Sequence, residues 1–548
     1  MPTLFKKVKN SAPFFVLSLL VLVCYFPVIF GFFQQDEWLS LSRQILISHL
    51  EVKNILINAF TPFSPHYTPL TVLTINLFFS LFGLQFINYA LVSIMLHLVA
   101  VILVFHFSNL IFKNNFFAFG SALLFGVSAA NYQATAWVMA DIATHGSTIF
   151  GLLSLIFIIK FLLLKKYYWF FLGVVSLVIS LLFKEISIGL FAIIPLIIYK
   201  EKAFKKFVIP NLIILGILAL YIILRIILFA SLPSNLISTD GERKEDFFLN
   251  AVLYPIKAIT QTVIPPGQLL QFSYWFTEKL PEDIRGQEGI TTFDIFAQEI
   301  VLRTGEILLF SFISLVIFIL WRRSKESALI KTLLFSFAFI ILNSFIYILS
   351  PERTGIISII DSRNLYFPSI GTSILLLALL AKITRGNLRR SFLLLLPILL
   401  LNIFWLNKEL RTLTEVGLLR RDILTKIKNT YPNLPDKIVF FTESNTSYYG
   451  LPEKEKIMPF QSGFGQTLIV WYYSTEHWPN EFLKNKFLWE ITEQGYLEAD
   501  GRGFGYFRDK QLLLKALNDY KLTHDSVISF SWNSHYNALT DITNEIDY

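Results

Sequence analysis

The sequence contains repeated blocks of roughly 15 to 25 apolar residues without a charged side chain, and this pattern limits what the chain can fold into. Such blocks match the ~20 helical residues needed to cross ~30 Å of hydrocarbon. Only 16% of residues are charged, compared with roughly 25% in soluble domains. The sequence therefore predicts a polytopic membrane protein and excludes a wholly soluble one.

Hydropathy along the chain predicts an all-α membrane domain at residues 1–406 with eleven transmembrane helices, followed by a small soluble domain at 407–548. The predicted spans are residues 12–33, 86–110, 116–130, 146–164, 168–183, 186–199, 207–230, 307–321, 332–350, 365–381 and 391–405.

The charges on the connections predict the orientation. With the amino terminus inside, the inner segments carry eighteen Lys and Arg residues, whereas the short outer segments carry five. Those five are Arg43, Lys53, Lys184, Arg353 and Arg363. Because cytoplasmic loops are enriched in basic residues, the bias predicts a multi-pass protein of the cytoplasmic membrane with its C-terminal domain outside. Anionic membrane lipids explain the net charge of +8, so no nucleic-acid partner is predicted.

Three predicted external segments are large enough to contribute to a site: residues 34–85, residues 231–306 and the C-terminal domain. The C-terminal domain begins with a charged helix at 409–428. It contains the strand-like segments KIVFFT, GRGFGYF and VISFSW and the helical segment DKQLLLKALNDY. This order predicts an α/β or α+β domain, and no phosphate-binding or hydrolase motif indicates its function.

Two adjacent acids are the most informative polar residues. Asp36 and Glu37 follow the predicted end of span one by three residues, beside the aromatic Trp38. A carboxylate at this depth could remove a proton from an acceptor hydroxyl that attacks a sugar on a membrane-embedded polyprenyl phosphate. The alternative is that both acids end the helix and face water.

The chain also resembles a known family in five ordered segments. They are QQDEW, HYTPLTVLTINLFFSLFGLQFINYALVSIMLHLVAVIL, LLFGVSAANYQATAWVMADIATHGSTIFGLLSL, SLLFKEISIGL and DSRNLYFPSIGTSILLLALL. Together they resemble bacterial relatives of the protein O-mannosyltransferases, which belong to the GT-C superfamily of integral-membrane glycosyltransferases. The resemblance implies a polyprenyl-phosphate sugar donor, inversion at the anomeric carbon, Asp36 as the catalytic base and Glu37 as its neighbour. Thr68 and Asp141 depart from the pattern, since relatives often have Arg in these segments.

A lipid phosphate needs cations or hydrogen-bond donors at the depth of the base. Arg363, His66, Arg225 and Lys184 are the predicted donor-phosphate ligands, and Asp141, His145 and Tyr366 are further cavity candidates. The resemblance implies that Arg363 and Tyr366 face the cavity. Alternatively, Lys184 pairs with Glu185, and Arg225 extends to the membrane interface. His97 is expected to make interhelical hydrogen bonds.

No cofactor and no metal site are predicted. The only cysteine, Cys24, lies in the first span, which excludes an internal disulfide and a cysteine cluster. A lipid or sugar transporter is one alternative function, although the mid-span regions have few ionisable residues and the chain has no repeated halves. A polysaccharide polymerase or ligase that uses a diphosphate-linked donor is another. The sugar and the acceptor remain open.

Overall fold

The computed structural model describes residues 2–48, 50–61, 67–139, 141–200, 208–230, 243–280, 291–323, 328–345, 348, 359–444, 464–473, 478–484, 487–488, 491, 494–533 and 536–545. The chain divides into two compact units. The helical unit comprises Met1–Ile29, Leu56–Thr74 and Asn88–Arg411. The sheet unit comprises Phe30–Ile55, Ile75–Ile87 and Thr412–Tyr548.

Most of the described chain is helical. The helices are α1 (Pro2–Tyr25), α2 (Gln35–Ser48), α3 (Val52–Phe60), α4 (Pro69–Phe82), α5 (Phe86–Phe112), α6 (Asn115–Gly126), α7 (Gln133–Ala136), α8 (Ile142–Leu164), α9 (Tyr167–Phe183), α10 (Leu190–Lys200), α11 (Val208–Ala230), α12 (Arg243–Val263), α13 (Pro266–Glu278), α14 (Thr291–Arg323), α15 (Ala328–Ser344), α16 (Ser362–Ile383), α17 (Leu388–Thr430), α18 (Phe464–Tyr473) and α19 (Lys510–Tyr520). Short 3₁₀ turns cover Phe26–Phe30, Ala129–Asn131, Glu185–Gly189, Asn480–Leu483 and His524–Ser526.

Seven helices of the described chain are long and apolar enough to cross a membrane, as expected for a membrane protein. They lie at Pro13–Phe30, Phe86–Phe112, Ile142–Leu164, Val208–Leu228, Ala297–Arg323, Ser362–Ile383 and Leu388–Thr430. The other four predicted spans fall on shorter apolar helices, namely α6, α9, α10 with its preceding turn, and α15. The total of eleven spans therefore remains a prediction.

One helix is longer than the sequence predicted, and one apolar helix was not predicted. The predicted last span and the charged helix after it form one helix, α17, which is 43 residues long. Pro397 lies within it. In the predicted external segment 34–85, α4 is an apolar helix that the hydropathy reading did not count as a span.

Small residues hold α8 and α9 together. A side chain at Gly146 would overlap the ring of Phe183, so glycine allows the two helices to approach closely. The Ser180 hydroxyl donates to the Ser147 carbonyl at 2.6 Å, and the Ser147 hydroxyl donates to the Lys184 carbonyl at 3.0 Å. These contacts fix the end of α9, where Lys184 follows, beside the start of α8.

The α16 helix is packed just as closely. A Cβ at Gly371 would lie 2.8 Å from Ile340 and 3.1 Å from the carbonyl of Ser336, both on α15. Its buried residues include Leu365, Ile374 and Leu375, so α16 is enclosed by protein along much of its length. The amino-terminal turn of α16, which carries Arg363, is therefore attached to a rigid element.

The sheet unit contains five strands, β1 (Lys437–Ser444), β2 (Gly495–Ala499), β3 (Arg502–Phe507), β4 (Val527–Asn533) and β5 (Ala538–Asp541). Their order is β2-β3-β1-β4-β5. The central strand β1 is parallel to β3 and β4, and the two edge strands pair antiparallel to their neighbours. The three strand-like segments and the helical segment noted in the sequence correspond to β1, β3, β4 and α19.

Both faces of β1 are buried, which is typical of a parallel strand covered on two sides. Val439 and Phe441 pack with Leu513 and Leu517 of α19. On the other face, the Phe440 ring lies 5.8 Å from the Phe504 ring and 6.2 Å from the Tyr472 ring. The C-terminal region is thus a small sheet domain with helices on both faces.

Candidate functional site

Arg363 lies in the first turn of α16, where two different partners hold its side chain. Its guanidinium carbon is 4.5 Å from the centre of the Trp137 ring, a cation–π distance. Its Nη2 is 3.5 Å from Oδ2 of Asp361, and 21% of the side chain is exposed. Arg363 is therefore held in place but remains accessible to a ligand.

Hydrogen bonds join the start of α16 to the segment that carries Trp137. The Ser362 hydroxyl donates to the Ala130 carbonyl at 3.0 Å. The backbone amide of Arg363 donates to the side-chain oxygen Oε1 of Gln133 at 3.3 Å. The backbone amide of Gln133 donates to the Ser362 hydroxyl, also at 3.3 Å. This reciprocal pairing fixes the guanidinium against the indole.

Lys184 lies between two apolar helices, directly after α9. Its Nζ donates to the Thr144 hydroxyl on α8 at 3.1 Å. The pKa of Lys184 is lowered to about 8, first because burial penalises the ammonium and then because the Arg363 cation repels it. Arg363 thus lies close enough to Lys184 to destabilise the charge of the ammonium.

Carboxylates surround this pair of cations and oppose the repulsion. Glu185, Asp141 and Asp361 all attract the Lys184 ammonium. Glu185 also interacts electrostatically with Tyr221 on α11, and Arg225 interacts with the same hydroxyl. Five of these groups were singled out in the sequence or lie directly beside such a residue, and the fold brings them into one charged cluster of the helical unit.

A second polar group lies deeper in the helical unit. Asp141, His145 and Tyr366 are wholly buried. The Tyr366 hydroxyl lies 2.8 Å from Nδ1 of His97, and the Tyr366 ring lies 5.1 Å from the His145 ring. Asp141 interacts electrostatically with Tyr366, which connects this group to the charged cluster. The expected interhelical hydrogen bonding of His97 is confirmed, since its Nε2 lies 3.0 Å from the Gly126 carbonyl.

The acidic pair belongs to the sheet unit. Glu37 is wholly buried in the first turn of α2, where its carboxylate accepts from the Gln34 amide and its own amide donates to the Gln34 carbonyl at 3.2 Å. The carboxylate contact is the glutamate half of a capping box, which gives Glu37 a structural contact at the helix start. The backbone of Asp36 lies in α2, but its side chain lies outside the described part of the chain, as does His66.

Metal ligation finds no support among the described residues. No group of three or more His, Cys, Asp or Glu side chains in that part of the chain could hold a metal ion. The cations and carboxylates of the charged cluster instead form a mixed electrostatic group. The absence of a metal from the reaction stays a prediction from the sequence.

Sequence reasoning did not single out several residues of this arrangement. Trp137, Gln133 and Thr144 all lie in or next to segments that carried the family resemblance, but nothing local in the sequence marks them as partners of Arg363 or Lys184. Their contacts join residues from 40 to 230 positions apart. The charge of Arg363 and its position at a predicted span end could be read from the sequence, whereas its indole partner could not.

The chain matches no protein-family model, and no curated protein matches it. Membership of the GT-C superfamily therefore remains a prediction from the five ordered segments.

Proposed function

We propose that this protein is an inverting glycosyltransferase that moves a monosaccharide from a polyprenyl-phosphate carrier to an acceptor hydroxyl at the outer face of the cytoplasmic membrane. The observation that carries the proposal is the pair of mutually repelling cations, Lys184 and Arg363, within one charged cluster of a protein rich in apolar helices. A bound phosphate would relieve their repulsion.

The charge change in this reaction fits two cations. The donor is a phosphodiester with one negative charge, whereas the departing polyprenyl phosphate is a monoester whose second pKa is ~6 and which carries nearly two charges at neutral pH. Cations that meet the developing charge stabilise the transition state more than the ground state. Lys184 and Arg363 are the proposed ligands of the departing phosphate, and Arg225 and His66 are further candidates.

The proposed reaction is one displacement. Asp36 takes the proton of the acceptor hydroxyl, and the acceptor oxygen forms a bond to the anomeric carbon. The bond from that carbon to the phosphate oxygen breaks, and its electron pair stays on the phosphate. Glu37 maintains the helix start beside Asp36, which separates the roles of the two acids.

Purified protein in lipid nanodiscs tests the function directly. Incubation with a panel of polyprenyl-phosphate monosaccharides and an acceptor mixture should release polyprenyl phosphate, detected by mass spectrometry. Release of polyprenyl diphosphate, on addition of diphosphate-linked donors only, would instead indicate a polymerase or ligase. Movement of intact donor across the bilayer without release would indicate a transporter.

The proposed orientation gives a separate prediction. Reporter fusions after Lys113 and Lys331, which lie between predicted spans, should report a cytoplasmic location, because these connections carry the basic bias. A fusion at the carboxyl terminus should report an exterior location. A cytoplasmic result there would overturn both the placement of the C-terminal domain and the odd number of spans.

The lowered pKa of Lys184 predicts a pH dependence. Lys184 binds an anion only while protonated, so kcat/KM for the donor should fall as the pH rises through about 8. Lys184→Arg should remove this decline, because arginine stays charged throughout the accessible range. A decline that persists unchanged in Lys184→Arg would assign it to another group and remove Lys184 from phosphate binding.

A further inference from the structure

Two residues on one face of α17 hold the segment that leads into α2. Gly417 and Arg420 are three positions apart and so lie on the same face of the helix. A Cβ at position 417 would be 2.8 Å from the backbone nitrogen of Phe32, a contact that requires the backbone to shift. Glycine at 417 therefore lets the segment before α2 lie directly on α17.

Arg420 binds the same segment through its side chain. The residue is only 4% exposed, and its Nη1 donates to Oε1 of Gln34 at 2.5 Å. Its charge is attracted by the wholly buried Glu37. Because a buried charge costs free energy unless it is paired and hydrogen-bonded, this arrangement depends on all three side chains.

The neighbouring arginine provides a contrast on the same helix. Arg421 has 48% of its side chain exposed and lies 3.9 Å from Asp422, a weak surface pair. One of two adjacent arginines is thus buried against the start of α2, and the other faces outward. The chain therefore contains its own matched control.

The residues that Arg420 contacts determine where α2 begins. Two hydrogen bonds between Gln34 and Glu37 close the first turn, and Asp36 lies between them in the chain. The Phe32 ring, just before this turn, lies 6.0 Å from the Trp471 ring of α18. The backbone position of Asp36 is thus fixed by a turn that the C-terminal part of the chain holds from two sides.

We propose that Arg420 is a positioning residue for catalysis, which holds the first turn of α2 so that Asp36 meets the acceptor hydroxyl in a productive geometry. This inference rests on the proposed function, because it assigns Asp36 a reaction to perform. It also gives the C-terminal domain a part in the chemistry, since its helix supplies the arginine. Misplacement of a catalytic group by ~1 Å is enough to cost ~10²-fold in rate.

The first experiment measures how often the turn opens, and it does not depend on the protein's activity. Hydrogen exchange of full-length protein in nanodiscs should be faster by at least about tenfold in peptides covering residues 31–40 in Arg420→Gln, because the turn opens more often. Arg421→Gln should match the wild type. Equal exchange in Arg420→Gln and the wild type would overturn the inference, whatever the protein's activity.

The second experiment measures catalysis. Arg420→Gln should lower kcat by ~10²-fold with little change in the donor KM, and Arg420→Lys should restore part of the rate. Combination with Gln34→Ala should give a loss smaller than the product of the two single losses, because both changes break one hydrogen bond. Faster exchange with unchanged kcat would show that Arg420 only stabilises the fold.

The two proposals fail in different ways. A wild-type protein that releases polyprenyl phosphate, together with an Arg420→Gln variant as active as Arg421→Gln, would overturn the positioning role and leave the function intact. A wild-type protein that consumes no donor would overturn the function and with it the catalytic role of Arg420. Thermal unfolding of each variant, compared with that of Arg421→Gln, identifies variants that fail because they do not fold.

Discussion

Asp36→Asn is expected to lower the turnover of sugar transfer by ~10² to 10⁴-fold while the protein stays folded and still binds its donor. The amide keeps the shape of the carboxylate but cannot accept the acceptor's proton, and loss of a general base typically has an effect of this size. The measurement is polyprenyl phosphate released per enzyme per unit time at saturating donor. Turnover within a few-fold of the wild type would transfer the role to Glu37 or Asp141.

Glu37→Gln is the matched control for this substitution. The glutamine oxygen can still accept from the Gln34 backbone amide, so this hydrogen bond can persist, but the charge facing Arg420 is lost. We therefore expect Glu37→Gln to lower the thermal unfolding temperature and to lower kcat by no more than Arg420→Gln does, because it loosens the turn that holds Asp36 but does not remove the base. The opposite pattern, with a stable but inactive Glu37→Gln, would exchange the roles of the two acids.

The helical architecture was predictable because hydropathy is a property of consecutive residues. Each long apolar block has only one way to satisfy its backbone inside a bilayer, namely as a helix, so hydropathy alone predicts the element. The predicted spans at 86–110 and 365–381 correspond to α5 and α16. Three of the five strands of the C-terminal domain, β1, β3 and β4, were also predicted; β1, for example, is a short run of β-branched and aromatic residues preceded by two prolines.

The extent of α17 was not predictable in the same way. The residues after 405 are polar and charged, and a change in composition normally suggests a change of element. In the structure the same helix continues through this change to Thr430. Helix formation needs only the backbone hydrogen bonds and a face to pack, so a boundary in hydropathy is not a boundary in secondary structure.

Only part of the candidate site could be predicted from the sequence. Lys184 and Arg363 stand out because charges at the ends of apolar blocks are few, and the fold brings both into one cluster. The neighbours that define their environment come from distant parts of the chain. Arg420 was the least predictable, since nothing in the sequence LLRRDIL separates it from the exposed Arg421.

Arg363→Ala is expected to lower kcat by ~10² to 10³-fold, because it removes a cation from the charge that develops on the departing phosphate. If the guanidinium instead contacts the phosphate equally in the ground and transition states, the donor KM should rise and kcat should change little. Steady-state kinetics with varied donor separates the two cases. Arg389→Ala, which replaces an exposed arginine in the first turn of α17, is the control and should leave both constants unchanged.

Arg363→Lys tests the geometry as well as the charge. An ammonium at this position would supply the charge but not the planar donor pair that fits two phosphate oxygens, and it would lose part of the stacking on Trp137. Partial recovery of kcat is therefore expected. In the double variant Lys184→Met/Arg363→Ala, the fold-loss in kcat should be smaller than the product of the two single losses, because in the wild type both cations act on one phosphate. Independent losses would place Lys184 and Arg363 on different groups of the substrate, and unchanged kinetics in Arg363→Ala would limit this arginine to anchoring the start of α16.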